Sequence, residues 1–243
     1  MRVALISDVH ANLTALDAVL AHARARGIEA VWQLGDIVGY GPDPDAVVRR
    51  LVECGAAGVM GNHDAAAVGL IPLKDFNPTA ATANRWTAGE IDAESAGYLR
   101  SLPEVEVDGE YTRVHGTLRA PLWEYLVTHE IAEAHFALQQ TPVSLVGHTH
   151  LPVVIFRREP GLHDSFAPAD DEVFELGEGP VCVNPGGLGQ PRDGDPRAPY
   201  AILDTSTGTV TFHRVGYDVA AVQERIIKAG LPETLATRLA RGR

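Results

Sequence analysis

Five short apolar runs in the first 150 residues are each followed at once by a polar cluster, and no other feature constrains the fold as much. The clusters are Asp8-Val-His10, Gly35-Asp36, Gly61-Asn-His-Asp64, Val114-His115-Gly116 and Gly147-His-Thr-His150. A brief apolar run such as residues 3–6 suits a strand covered on both faces of a parallel sheet. In α/β sheets, ligands sit in the crevice at the carboxyl ends of the strands. Five polar clusters at five strand ends would therefore converge on one site, although they are spread from Asp8 to His150.

The intervening segments support this reading. Leu13, Leu16, Leu20 and Ala23 recur at helical spacing, with Asn12 placed to cap the helix and Gly27 to end it. Residues 31–34 form a second strand candidate. Asp43-Pro44 offers an N-cap and a first helical residue for a helix over 45–53, closed by Gly55. Residues 57–60 would be a third strand. Two consecutive βαβ units imply a parallel sheet with right-handed crossovers. Residues 75–102 carry a less regular helical pattern that Pro103 ends. Alternation on both sides of Asp108-Gly109 then marks a hairpin, with Val105 and Val107 before the turn and Tyr111, Arg113 and His115 after it. Helical pattern returns over 129–139. Strand candidates follow at 143–146, 153–156 and 181–183, and 200–203 pairs with 210–214 across Thr205-Ser-Thr-Gly208. Residues 160–180 are acidic and turn-rich, which reads as a surface loop holding one short strand. Two helices, 218–229 and 233–240, close the chain. There is no internal repeat, low-complexity segment or linker, so residues 1–243 are expected to form a single domain.

The residue types in the clusters name their chemistry. Asp8-x-His10 and His148-x-His150 share an i, i+2 spacing, which puts both side chains on one face of an extended strand. Imidazole, carboxylate and one amide, with no thiolate, suit Mn, Fe, Zn, Co or Ni better than a structural cysteine site. Asp8, His10, Asp36, Asn62, His115, His148 and His150 are too many ligands for one tetrahedral ion. They match two octahedral-like ions that share a carboxylate. Such a pair clamps the oxygens of an in-line phosphoryl displacement and acidifies water to hydroxide near neutral pH. Gly35, Gly61 and Gly147 are read as tight turns just before ligands, and Gly116 as one just after. With Asn62 aimed at the metals, His63 can overhang the substrate, and Asp64 can fix or charge its imidazole. A protonated histidine there can serve the leaving oxygen as general acid. The remaining histidines, His22, His129, His135, His163 and His213, have no such spacing and read as surface or ordinary core residues.

Charge and composition narrow the partners. The formal net charge is -12, which disfavours long nucleic acid and leaves bound cations to supply local positive charge for a phosphate. No apolar run approaches the ~20 residues of a membrane helix, and the N-terminus carries no signal-peptide pattern. Cys54 and Cys182 read as two buried free thiols, consistent with a cytoplasmic location.

The pattern Asp8-x-His10, Gly35-Asp36, Gly61-Asn62-His63-Asp64, His115 and Gly147-His148-x-His150 resembles the calcineurin-like metallophosphoesterase superfamily. Residues 35–43, 121–125, 184–186 and 190–192 resemble its prokaryotic members related to diadenosine tetraphosphatases and protein phosphatases. The resemblance implies a four-layer α/β/β/α sandwich with two stacked mixed β-sheets. It also implies that Asp36 bridges two metals. Asp8, His10 and His150 would complete one site, and Asn62, His115 and His148 the other. His63 would contact phosphate as the catalytic histidine, with Asp64 as its partner. The expected activity is hydrolysis of a phosphate mono- or diester, on a small or nucleotide-like substrate. The alternatives are a metal-binding scaffold, which predicts a broken ligand set, and a nuclease, which predicts a basic groove. Tyr40 and Asn184-Pro-Gly186 could border the cleft, and Arg119 and Arg192 could bind phosphate. Trp123 and Tyr125 could stack on a base, with a buried aromatic pair as the plainer expectation. The sequence assigns no oligomeric state.

Overall fold

Alternation along the first strand, β1 (Arg2–Ile6), builds the layers. Ala4 and Ile6 join an apolar cluster with Leu16, Val19 and Leu20 of the first helix, α1 (Leu13–Ala25). Val3 and Leu5 face the other way and pack with Leu145, Val181 and Val183 of a second sheet. A strand covered on both faces is the condition under which a continuous apolar run is stable. The computed structural model describes every residue, Met1–Arg243.

The following elements are β2 (Ala30–Gln33), α2 (Pro44–Glu53), β3 (Ala57–Gly58), α3 (Asn62–Ala67), α4 (Pro78–Glu90) and α5 (Ala93–Ser101). The middle of the chain forms β4 (Val105–Asp108), β5 (Tyr111–Val114), α6 (His129–Leu138), β6 (Val143–Leu145), β7 (Val153–Glu159) and β8 (Leu162–Phe166). The last elements are β9 (Val173–Glu175), β10 (Val181–Asn184), β11 (Ala198–Asp204), β12 (Thr209–Val215), α7 (Val219–Lys228) and α8 (Glu233–Leu239).

Two six-stranded sheets result, in the orders β3-β2-β1-β11-β12-β9 and β4-β5-β6-β10-β7-β8. β1, β2 and β3 run parallel in the first, and β5, β6 and β10 in the second; the other pairings are antiparallel. The sheets stack on each other. α1 and α2 cover the outer face of the first, and Ala132 and Phe136 of α6 pack with Val114, Val146 and Cys182 outside the second. The architecture is thus the four-layer α/β/β/α sandwich with two mixed sheets.

Several local expectations are corrected. The acidic 160–180 region holds β8 and β9, two strands where one was expected. Both lie at sheet edges with mostly exposed residues, so burial imposes little apolar pattern on them. β5 does not alternate, because it is an inner strand with all of Tyr111–Val114 buried. Arg113 is included, its guanidinium over the Trp32 ring and 3.0 Å from Glu106. Asp43 precedes α2 but makes no side-chain cap, since its carboxylate pairs with Arg225 of α7 at 2.9 Å. Both cysteines are free thiols, but only Cys182 is buried; Cys54, at the end of α2, is half-buried.

Candidate metal centre

All five clusters leave the carboxyl ends of the parallel strands: β1, β2 and β3 in one sheet, β5 and β6 in the other. The chain turns sharply there. Asp8, His10, Asp36, His148 and His150 themselves have φ between 48° and 63°. Non-glycine residues seldom adopt this left-handed region, and its strain persists only where the surroundings enforce it. The glycines were expected to make these turns, and Gly35 alone among the four does so, at φ 87°. Gly61 and Gly147 serve close approach instead: a Cβ on Gly61 would lie 2.2 Å from the Asp36 main-chain nitrogen, and one on Gly147 2.0 Å from Ser7 Oγ.

The side chains gather in two buried groups, Asp8 with His10 and His150, and Asp36 with His115 and His148. Asp36 Oδ2 lies 3.3 Å from His115 Nε2 and 3.6 Å from His10 Nε2, so one carboxylate reaches both groups. The main chain fixes each imidazole. His10, His115 and His150 donate from Nδ1 to the carbonyls of Val38, Leu34 and Gln190 at 3.1, 2.8 and 2.6 Å. His148 is turned over and donates from Nε2 to Trp123 O at 3.2 Å. The inward nitrogens are therefore bare lone pairs in the neutral rings. They face one another: His10 Nε2 and His150 Nε2 are 3.2 Å apart, and His115 Nε2 and His148 Nδ1 3.0 Å. Asp8 Oδ2 accepts from Ser7 Oγ and the His148 N–H, while its buried Oδ1 has no partner. The Asn62 side-chain amide also reaches the Asp36 carboxylate, 3.3 Å from each of its oxygens. Opposed donors of this kind, which only a shared proton or a cation reconciles, are the ligand set of cations, and ligating histidines are commonly oriented by a carbonyl on the other nitrogen. The residues present fit two metal ions.

The electrostatics of the protein alone point the same way. Burial pushes the Asp8 carboxyl up to about 7 and the His148 imidazole down to about 3. Burial also holds His10 and His150 well below the usual histidine range, which keeps them neutral and able to ligate. His115 goes the other way: burial opposes its charge, but Asp36 raises it to about 9. A cation between them would replace that proton.

His63, at the start of α3, lies beside the two groups, its ring centroid 4.9 Å from that of His10. Its main-chain N–H donates to Asp36 Oδ1 at 2.8 Å, and its Nδ1 meets Asn84 Oδ1 of α4 at 3.0 Å. The expected contact with Asp64 is not formed. Asp64 accepts from the N–H groups of Val38 and Gly61 at 3.0 and 2.9 Å, so it ties the turn after β2 to the start of α3. Asn84 was missed in the sequence because its only signal is a polar residue on the buried side of an irregular helix.

A family model, described as the calcineurin-like phosphoesterase superfamily domain, matches residues 1–208. The chain belongs to this superfamily. A solved metallophosphoesterase from Sphaerobacter thermophilus superposes with a TM-score of 0.91 at 46% identity, covering 100% of this chain and 99% of that one. MJ0912 of Methanocaldococcus jannaschii is 37% identical over 99% of this chain and 98% of its own length. Phosphodiesterase YfcE of Escherichia coli is 26% identical over 86% of this chain and 91% of its own length.

The rim of this phosphoesterase-family site differs from expectation. Tyr40 does border it, wedged between His10 and His63 at centroid distances of 4.7 and 4.4 Å. Trp123 and Tyr125 are not a buried pair: they are 37% and 44% exposed. Trp123 packs on Phe76, and Tyr125 stacks flat on His148 at 3.9 Å. Arg119 is engaged by Glu124 at the surface. Asn184 is fully buried and donates to Gly147 O and Thr149 Oγ1, bracing the loop that carries His148 and His150. Of the histidines outside the clusters, His135, His163 and His213 are buried against Ser144, Glu133 and Asp171.

Proposed function

We propose that this chain hydrolyses a phosphate ester at a dinuclear metal centre, the substrate being a small or nucleotide-like mono- or diester. The observation that carries this reading is the pair of opposed imidazole nitrogens on either side of Asp36, at 3.2 and 3.0 Å. Asp8, His10 and His150 would hold one ion, Asn62, His115 and His148 the other, and Asp36 would bridge them. Bound there, the ions supply Lewis acidity at the phosphoryl oxygens and acidify the attacking water.

The protein's own groups do the rest. His63 is fixed on both sides, by its main-chain bond to Asp36 and its ring bond to Asn84, so Nε2 is left toward the cleft. From there it can donate to a phosphoryl or leaving-group oxygen. Burial lowers its pKa, so it needs the phosphate's own charge to hold a proton. Tyr40, Phe76 and Trp123 form an aromatic wall around it that limits water. An intact His63 beside a complete ligand set favours an enzyme over a scaffold, and an acidic chain favours a small ester over long nucleic acid.

The test is metal analysis of the purified protein with turnover of bis(p-nitrophenyl) phosphate and p-nitrophenyl phosphate. Close to two ions per chain are expected, with turnover in His63→Ala reduced roughly 10²–10⁴-fold. No turnover with any divalent metal, or full activity in the variant, would overturn the reading.

A further inference from the structure

Tyr40 also lines a second cleft of about 480 Å³, built with Asn77, Thr237, Arg238 and Arg241. No acidic side chain lines it, in a chain with a formal charge of -12. One wall is α8, through Leu235, Thr237 and Arg238, and Tyr40 packs in one apolar cluster with Leu235 and Leu239 of that helix. α8 lies beyond residue 208, where the family match ends, while Tyr40 and Asn77 lie within it, so the cleft forms where the C-terminal helix meets the matched domain.

The arginines here pair with no acidic side chain. Nearby carboxylates are taken by others, Asp193 by Arg214 and Asp195 by Arg197. Arg238 donates from Nε to the terminal main-chain oxygen of Arg243 and meets no acidic side chain. Arg192 reaches only Gln190 Oε1 at 3.4 Å, and its Nε is buried without a partner. Guanidinium groups massed without acidic side chains are an incomplete arrangement that an anion completes, and their planar forks match phosphate oxygens two at a time.

We propose that this cleft is an anion subsite for a second phosphoryl group, so that the substrate carries at least one phosphate besides the one cleaved. The inference rests on the hydrolase reading above and adds the substrate class to it. Arg238 and Arg241 orient the second phosphate, Arg243 completes the cationic rim, and Tyr40 separates the two anion sites.

The test compares thymidine 5′-(p-nitrophenyl phosphate) with the same ester bearing a 3′-phosphate, the reacting centre being identical. The second phosphate should lower KM roughly ten-fold in the wild type, as a few charge-assisted hydrogen bonds would. R238Q/R241Q should erase that ratio, and Arg241→Gln alone, an exposed position, should reduce it. General damage to the fold would lower turnover of both esters and leave the ratio standing. Equal KM values in the wild type, or a ratio that survives in R238Q/R241Q, overturns the proposal. If neither ester turns over with any divalent metal, the hydrolase reading fails, and titration calorimetry of the metal-free protein with inorganic tripolyphosphate decides the subsite. Binding weakened roughly ten-fold in R238Q/R241Q supports it; equal binding by both proteins, or none by the wild type, overturns it.

Discussion

His63 is the one clustered histidine held by a side chain where the other four are held by main-chain carbonyls. The difference suits a residue meant to exchange a proton. A main-chain carbonyl can only accept, so it locks one tautomer, whereas an amide can present oxygen or nitrogen. Asn84 is fully buried and its Nδ2 has no other partner, which leaves both orientations open to it. No side chain could replace it from the β2 turn, because a Cβ on Gly39 would lie 2.4 Å from His63 Nδ1. Asn84→Ala should therefore lower turnover of bis(p-nitrophenyl) phosphate roughly 10–100-fold, the usual effect of removing an orienting partner. Metal content should stay at the wild-type level, because Asn84 touches none of the seven proposed ligands. Unaltered turnover, or loss of the ions, would show that Asn84 does not act through His63.

At the scale of elements, legibility follows burial. β1 and α1 could be read from the chain because both faces of the strand and one face of the helix are apolar, with Asn12 bonding the Ala15 N–H as its cap. The Asp108-Gly109 turn was equally plain, Asp108 pairing with Tyr111 across it. β8 and β9 were not, since edge strands facing solvent need no pattern. The candidate ligands were legible because a strand end places chemistry next to a hydrophobic run. Asn84 and the arginine cleft were not, because each comes from a helix whose docking only the fold decides. His135 is another such case, an ordinary core histidine by sequence that couples α6 to β6. Its Nε2 bonds Ser144 Oγ at 2.8 Å while its Nδ1 accepts the Leu118 N–H, so the ring must be neutral. Burial lowers its pKa to about 4. The folded state thus resists a proton that the unfolded chain takes up near 6.5, and this contribution is present above that pH and lost as pH falls toward 4. The full loss is about 3 kcal/mol. His135→Gln should destabilise the protein at pH 7, and the gap from wild type should narrow steadily in urea melts taken down to pH 4. A gap that is constant with pH would mean that the ring is not held neutral.

For the molecule as a whole, the proposed ions would act as staples between the sheets. One would take Asp8 and His10 from the first sheet and His150 from the second; the other would take Asp36 and Asn62 from the first and His115 and His148 from the second. Without them the fold must hold opposed lone pairs and an unpartnered Asp8 Oδ1 in a buried site, on turns that keep five of the ligands in the left-handed region. Each of these features opposes folding, and each is relieved or compensated by a cation. An ion present at a thousand times its Kd stabilises the folded state by about 4 kcal/mol. For a chain of this size each kcal/mol moves Tm by about 2–4 °C. Stripping both ions with a chelator should therefore lower Tm by roughly 15–30 °C, and adding back a divalent metal should restore it. Asp36→Asn, which weakens the one carboxylate shared by both groups, should show a much smaller shift on chelation than the wild type. Identical melting with and without chelator, in protein confirmed to hold metal beforehand, would mean that the sheets are joined by their apolar interface alone.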